Sequence, residues 1–127
     1  MTFLIVDDSR TARNLLKNYV SEIKSEHTYR FVEAESAEAA FVALQTNRID
    51  FVFLDWNLSS KMTGLDILKE IRTMEKYKTV PVFMITSEGD KTHVIEALKF
   101  GANDFIVKPI DPKIFSPKVF KLIFNLK

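Results

Sequence analysis

The sequence predicts an α/β fold: a doubly wound (βα)5 sheet of five parallel strands alternating with five helices. Three observations lead there. Apolar runs and segments of helical period alternate strictly along the chain. The strand candidates are unbroken apolar runs, as strands covered on both faces require, and Phe51-Val52-Phe53-Leu54 is the plainest case. Polar or charged residues close four of the runs: Asp7-Asp8, Asp55, Thr86 and Lys108.

Thr2 to Val6 reads as the first strand, ended by the two acids. Ser9 can cap a helix carrying Ala12, Leu15, Leu16, Tyr19, Val20 and Ile23, broken by the polar stretch Ser25-Glu26-His27-Thr28. Arg30 to Ala34 is a second short strand. Ser36 can cap the next helix, with Ala37, Ala40, Phe41 and Leu44. The central strand ends at Asp55, and a loop runs from Trp56 to Thr63. Gly64 opens a helix with Leu65, Leu68 and Ile71 on one face. Pro81, suited to a first strand position, starts the fourth strand through Thr86. A helix with Val94, Ile95, Leu98 and Phe100 follows, stopped by Gly101. Asp104 to Val107 is the fifth strand, closed by Lys108-Pro109. Asp111 and Pro112 have the cap and first-turn pattern of a last helix. Pro117 leaves two readings: a kink inside that helix, or a true start at Ser116-Pro117.

The 127 residues fit one domain with one core, and 46% of them are hydrophobic. Eighteen basic against 17 acidic residues leave a net charge of +1, which gives no support for a nucleic-acid or membrane-surface role. Cysteine is absent, so disulfides and thiolate metal sites are excluded. No stretch approaches the ~20 apolar residues of a membrane span, and the expected location is the cytoplasm.

In doubly wound sheets the crevice lies at the carboxyl ends of the strands. Asp55 leaves the core there, and desolvating a charge without a partner is costly. Three carboxylates converging without a counterion would repel one another and raise their pKa values. Mg²⁺, which prefers oxygen ligands, relieves that repulsion. Asp8 and Asp55 are assigned as direct ligands, Asp7 as a ligand through water, and the backbone carbonyl of Asn57 as a further oxygen donor. An Asp carboxylate can attack phosphorus to give an acyl phosphate. Lys108 as a compact cation and Thr86 through its hydroxyl would take two of the phosphoryl oxygens.

These residues resemble the receiver domain of the two-component response-regulator family. Asp7-Asp8, Asp55, Thr86 and Lys108-Pro109 stand in that family's order, and the match covers essentially residues 1–127, with nothing left for an output domain. The strand order 2-1-3-4-5 is taken from the resemblance, because the chemotaxis receivers are themselves a standing example of this flavodoxin/CheY-like order. Asp55-Trp56-Asn57 and Thr86-Ser87-Glu88 look most like the single-domain chemotaxis regulators. The resemblance implies phosphorylation of Asp55 by a histidine kinase. It implies that Asn57 and Glu88 tune hydrolysis of the acyl phosphate and that Phe105 is the switch aromatic. It also implies a downstream protein partner, such as a flagellar motor switch protein. Three features depart from the family pattern. Ser59 stands where proline is usual, the spacing from Asp55 to Gly64 is one residue long, and Phe105 replaces the commoner tyrosine.

Blander readings exist for each residue taken singly. Asp7-Asp8 could cap a helix, Lys108 could be a surface lysine, Thr86 a turn residue, and Trp56 and Phe105 packing aromatics. His27 and His93 read as surface residues without function. In the last helix, Phe115, Val119, Leu122 and Leu126 form one apolar stripe and Phe120, Ile123 and Phe124 a second. A helix on a sheet needs one stripe, so the other is either wide burial or a surface for a partner or a weak dimer. The rival functions are a relay or phosphate sink unconnected with motility, a Mg²⁺-dependent phosphatase with an Asp nucleophile, and a docking-only pseudo-receiver. The phosphatase needs an acid where Asn57 stands.

Overall fold

The computed structural model describes residues 1–58, 61–87 and 91–125, with only the backbone of Lys91; Ser59, Glu88 and Leu126 therefore lie outside the described residues. The elements run β1 (Thr2–Val6), α1 (Arg10–Ser21), β2 (Arg30–Ala34), α2 (Ala37–Thr46), β3 (Phe51–Asp55), α3 (Gly64–Thr73), β4 (Val82–Thr86), α4 (Lys91–Lys99), β5 (Asp104–Val107) and α5 (Pro112–Phe124). The strands form one parallel sheet in the order β2-β1-β3-β4-β5. A 3-10 turn at Glu75–Tyr77, unforeseen in the sequence, buries Tyr77, whose hydroxyl lies 2.8 Å from the carbonyls of both Leu44 and Asn47.

Alternation along each strand divides the core into two layers. Val52, Leu54, Val82 and Met84 face α2, α3 and α4. Phe51, Phe53, Phe83 and Ile85 face α1 and α5. In the second layer the Phe53 ring meets Phe3, Phe51, Phe83 and Phe115, with centroids 4.9 to 5.8 Å apart. Loss of so enclosed a ring costs about 3–5 kcal/mol.

Helix starts follow the cap chemistry. Ser9 and Ser36 accept from Ala12 N–H and Ala39 N–H, and Thr63 with Asp66 forms a reciprocal capping box. Asp111 caps α5, so that helix begins at Pro112 and Pro117 stands inside it. Of the two readings of Pro117 the internal one holds: its ring nitrogen lacks the proton that position would donate one turn back.

Two expected faces are corrected. On α4 the predicted apolar set is largely outside: Ile95 is 53% exposed, Leu98 47% and Phe100 45%. The helix meets the core through Ala97 instead, because a small residue allows close approach to the sheet. On α5 the buried row is Phe115, Val119 and Ile123, four residues apart. Ile123 thus joins the first stripe, while Phe120 and Phe124 remain exposed. No described helix is long and apolar enough to cross a membrane.

Candidate functional site

Sheet register brings the site together. Val6 is level with Leu54, Asp55 with Ile85, and Thr86 with Val107. Asp7, Asp55, Thr86 and Lys108 therefore emerge at one rim. Backbone bonds fix the exits: Asp7 N–H donates to Ala34 O at 3.0 Å, Trp56 N–H to Ile85 O at 2.8 Å, and Lys108 N–H to Thr86 O at 2.7 Å. Lys108-Pro109 is a cis peptide.

Asp7 and Asp55 are buried, at 1% and 4% exposure, while Asp8 is exposed. One carboxylate oxygen from each of the three lies within 4.8 Å of the others. Three acidic oxygens this close suit a hard, oxygen-preferring divalent cation. Asp7 is held on both sides: Ser9 N–H donates to Oδ1 at 2.8 Å and the Lys108 ammonium to Oδ2 at 3.3 Å. The same ammonium stands 3.6 Å from Asp55 Oδ2. Burial pushes the Asp55 carboxyl from its usual 3.8 up to about 6, and the Asp7 charge adds to that rise, while Lys108 opposes it.

Around this centre, Thr86 is buried at 3%. Asn57 N–H approaches Asp55 Oδ1 at 3.4 Å, and the exposed Asn57 side chain donates to Ser87 Oγ at 3.1 Å. Phe105 is half-buried, with the Lys118 ammonium 4.7 Å from its ring centroid. The acids, Thr86 and Lys108 thus gather as the sequence suggested, and Phe105 sits back from that rim on β5, level with Met84. Glu88 is not among the described residues.

Several contributors escaped the sequence reading. Arg13 donates to Asp7 O at 2.7 Å and reaches Glu33 at 2.9 Å. That ion pair and the Lys17 one hold the Glu33 carboxyl below its usual range, chiefly through the Lys17 hydrogen bond. Gly64 packs directly under β3: a Cβ there would meet the Asp55 carbonyl oxygen and lie 2.8 Å from Trp56 Cα. His93 is corrected from surface residue to packing partner, since its ring stacks on Trp56 at 4.5 Å between centroids and 16° between planes. Nothing in local sequence marks these roles, because each depends on a residue brought in from another element.

Known proteins place this arrangement. The model of the response regulator receiver domain matches residues 3–119. Chemotaxis protein CheY1 of Helicobacter pylori is 41% identical over 120 residues, covering 94% of each chain. Chemotaxis protein CheY of Pseudomonas aeruginosa is 35% identical over 122 residues, covering 96% of this chain and 95% of the relative. Among solved structures, the receiver domain of NtrX from Brucella abortus superposes with a TM-score of 0.83 at 30% identity, covering 98% of this chain and 99% of that one. Chemotaxis protein CheY4 of Vibrio cholerae gives 0.80 at 26% identity, covering 99% and 98%. The family model's match to residues 3–119, the curated relatives matched along nearly the whole length and the superposition of the sheet agree: the chain belongs to the response-regulator receiver domain family.

Proposed function

We propose that the chain is a two-component phosphoacceptor switch in which Asp55 takes a phosphoryl group from a histidine kinase. The observation that carries this reading is the meeting of Asp7, Asp8 and Asp55 oxygens within 4.8 Å, with the Lys108 ammonium 3.3 Å from Asp7 and 3.6 Å from Asp55. An Asp55 carboxylate oxygen attacks the phosphorus of the kinase's phosphohistidine. The P–N bond breaks, its electron pair leaves with the imidazole, which takes up a proton, and Asp55 becomes an acyl phosphate.

Asp7, Asp8, Asp55 and the Asn57 carbonyl would hold a Mg²⁺ ion. Both Asp7 oxygens already accept hydrogen bonds, which supports its acting through water. Bound there, the ion supplies positive charge that offsets the carboxylates and the phosphoryl oxygens. Lys108 takes one phosphoryl oxygen as a compact cation. Thr86, at the end of β4, turns its hydroxyl to another. Asn57 and Glu88 set how fast water removes the phosphoryl group.

Movement of Thr86 toward Asp55 leaves room for Phe105 to turn inward, shifting an existing equilibrium of the α4-β5-α5 surface. A downstream protein reads that surface. The names of the relatives support chemotaxis as the setting. A flagellar motor switch protein as the partner and the cytoplasm as the location complete the proposed reading. The chain's own chemistry is limited to gaining and slowly losing one phosphoryl group.

Incubation with Mg²⁺ and acetyl phosphate, followed by intact-protein mass spectrometry, tests the reading. Wild type gains one phosphoryl mass, and Asp55→Asn gains none. No gain on wild type, or equal gain on the variant, overturns it.

A further inference from the structure

The exit of β3 makes two neighbouring contacts, one with Ser87 just past β4 and one with the start of α4. Asn57 Nδ2 donates to Ser87 Oγ at 3.1 Å, and the ring of Trp56, one residue back, stacks on His93 in the first turn of α4. Trp56 is a rigid platform for this. It is 7% exposed, its N–H donates to Ile85 O, and its carbonyl accepts from Gly64 N–H at 2.8 Å.

The far end of α4 is held differently. Arg72 of α3 donates to Gly101 O at 2.6 Å, to Asn103 Oδ1 at 3.2 Å and to Tyr77 O at 3.0 Å. Gly101, at φ +98, lies so close to Arg72 that a Cβ would come within 2.9 Å of Nε. This end is a charge-assisted clamp on backbone carbonyls. The near end carries the stack of the His93 ring face on Trp56.

We propose that His93 is a positioning residue for the phosphoacceptor site: its stack on Trp56 holds the start of α4, and with it the Thr86-Ser87 segment, in the phosphate-free arrangement. The proposal rests on the reading of Asp55 as phosphoacceptor and adds the contact that sets the cost of switching. Thr86 and Ser87 are adjacent, so drawing Thr86 toward Asp55 displaces Ser87 and the first turn of α4 from Trp56 and Asn57. An aromatic pair present in one of two states biases their equilibrium by its own interaction energy. Losing it therefore tightens binding of a phosphoryl mimic roughly three- to tenfold.

The experiment titrates beryllium fluoride in Mg²⁺ against wild type, His93→Ala, His93→Leu and His93→Phe. Emission of Trp56, the chain's single tryptophan, is the readout. Expected are tighter binding by His93→Ala and His93→Leu, near wild-type binding by His93→Phe, which keeps a ring to stack, and altered resting emission in the first two. His93→Leu retains bulk and stands in if the alanine variant does not fold. Unchanged affinity in the ring-deleted variants overturns the proposal while leaving the phosphoacceptor reading intact. A shift of equal size in His93→Phe also overturns it, because the effect would then belong to the imidazole nitrogens. Absence of any wild-type response, by emission and by mass after acetyl phosphate, overturns both.

Discussion

The Lys108 ammonium donates to the Asp7 carboxylate at 3.3 Å, joining residues 101 positions apart in the chain. It is also the only cation within ion-pair distance of Asp55 among the described residues. Burial and the Asp7 charge both push the Asp55 carboxyl upward, and Lys108 pulls it back. In Lys108→Met the opposing charge is gone, so the Asp55 carboxyl should titrate higher than in wild type, by on the order of one pH unit. Carbon-13 chemical shifts of the labelled Asp55 carboxyl, followed against pH in a chelator, measure it. An unmoved midpoint would mean that solvent already screens the ammonium from the carboxylate.

The same shift makes stability depend on pH. The Asp55 carboxyl moves from 3.8 to about 6 on folding, so the native state holds its proton more tightly than the unfolded chain does. Its contribution is fully present below 3.8 and is lost as pH rises through about 6. Above that range the metal-free protein carries a buried, ionised Asp55 beside Asp7. Replacing Asp55 by Asn removes that charge. At about pH 8 the variant should be more stable by on the order of 2 kcal/mol, and at about pH 4 by little or nothing. Urea unfolding of both proteins in a chelator gives the comparison.

Much of this was legible in the sequence, for physical reasons that also explain what was not. Continuous apolar runs such as Phe51 to Leu54 mark strands covered on both sides, so alternation and parallel pairing could be read directly. The acids and Lys108 were legible because a charge at the end of such a run is costly without a purpose. The inward face of α4 was not legible. Its apolar residues surround the helix, and the side against the sheet is chosen by the small Ala97, which carries little pattern. The role of His93 was invisible for a related reason: its partner Trp56 comes from another strand end, and no local spacing records that. Pro117 was ambiguous because proline suits a first turn and is merely tolerated further in, and the Asp111 cap settled the choice.

Gly64 has a steric duty at the site. Its N–H donates to Trp56 O at 2.8 Å, and a Cβ would be driven into the Asp55 carbonyl, which is backbone and cannot swing aside. Gly64→Ala must move α3 away from β3 or twist the exit of Asp55. The overpacking should cost about 1–3 kcal/mol in stability. It should also slow phosphorylation by acetyl phosphate beyond what that loss explains, because the carboxylate is displaced from Lys108. Urea midpoints and the initial rate of mass gain, taken under conditions where both proteins are folded, separate the two effects.

Lys118 meets Phe105 at its carbonyl and its ring, and the neighbouring Asp104 at its carboxylate. Its ammonium donates to Phe105 O at 3.1 Å and to Asp104 Oδ1 at 3.2 Å, and it stands 4.7 Å from the ring centroid. The proposed switch requires Phe105 to leave this position and turn inward. A tyrosine at this place could gain a hydroxyl hydrogen bond on turning; phenylalanine cannot, so the cation over its ring weighs more in the balance. Lys118→Met keeps the aliphatic stem and removes the charge, which lifts an attraction of about 0.5–1 kcal/mol at a site this open to solvent. The inward state should then be easier to reach, and beryllium fluoride should bind roughly two- to fivefold more tightly. Lys118→Arg restores a cation above the ring and should return the affinity toward wild type. Titrating all three proteins through Trp56 emission reads the effect. Equal affinities for wild type and Lys118→Met would show that the ammonium leaves the orientation of Phe105 unbiased.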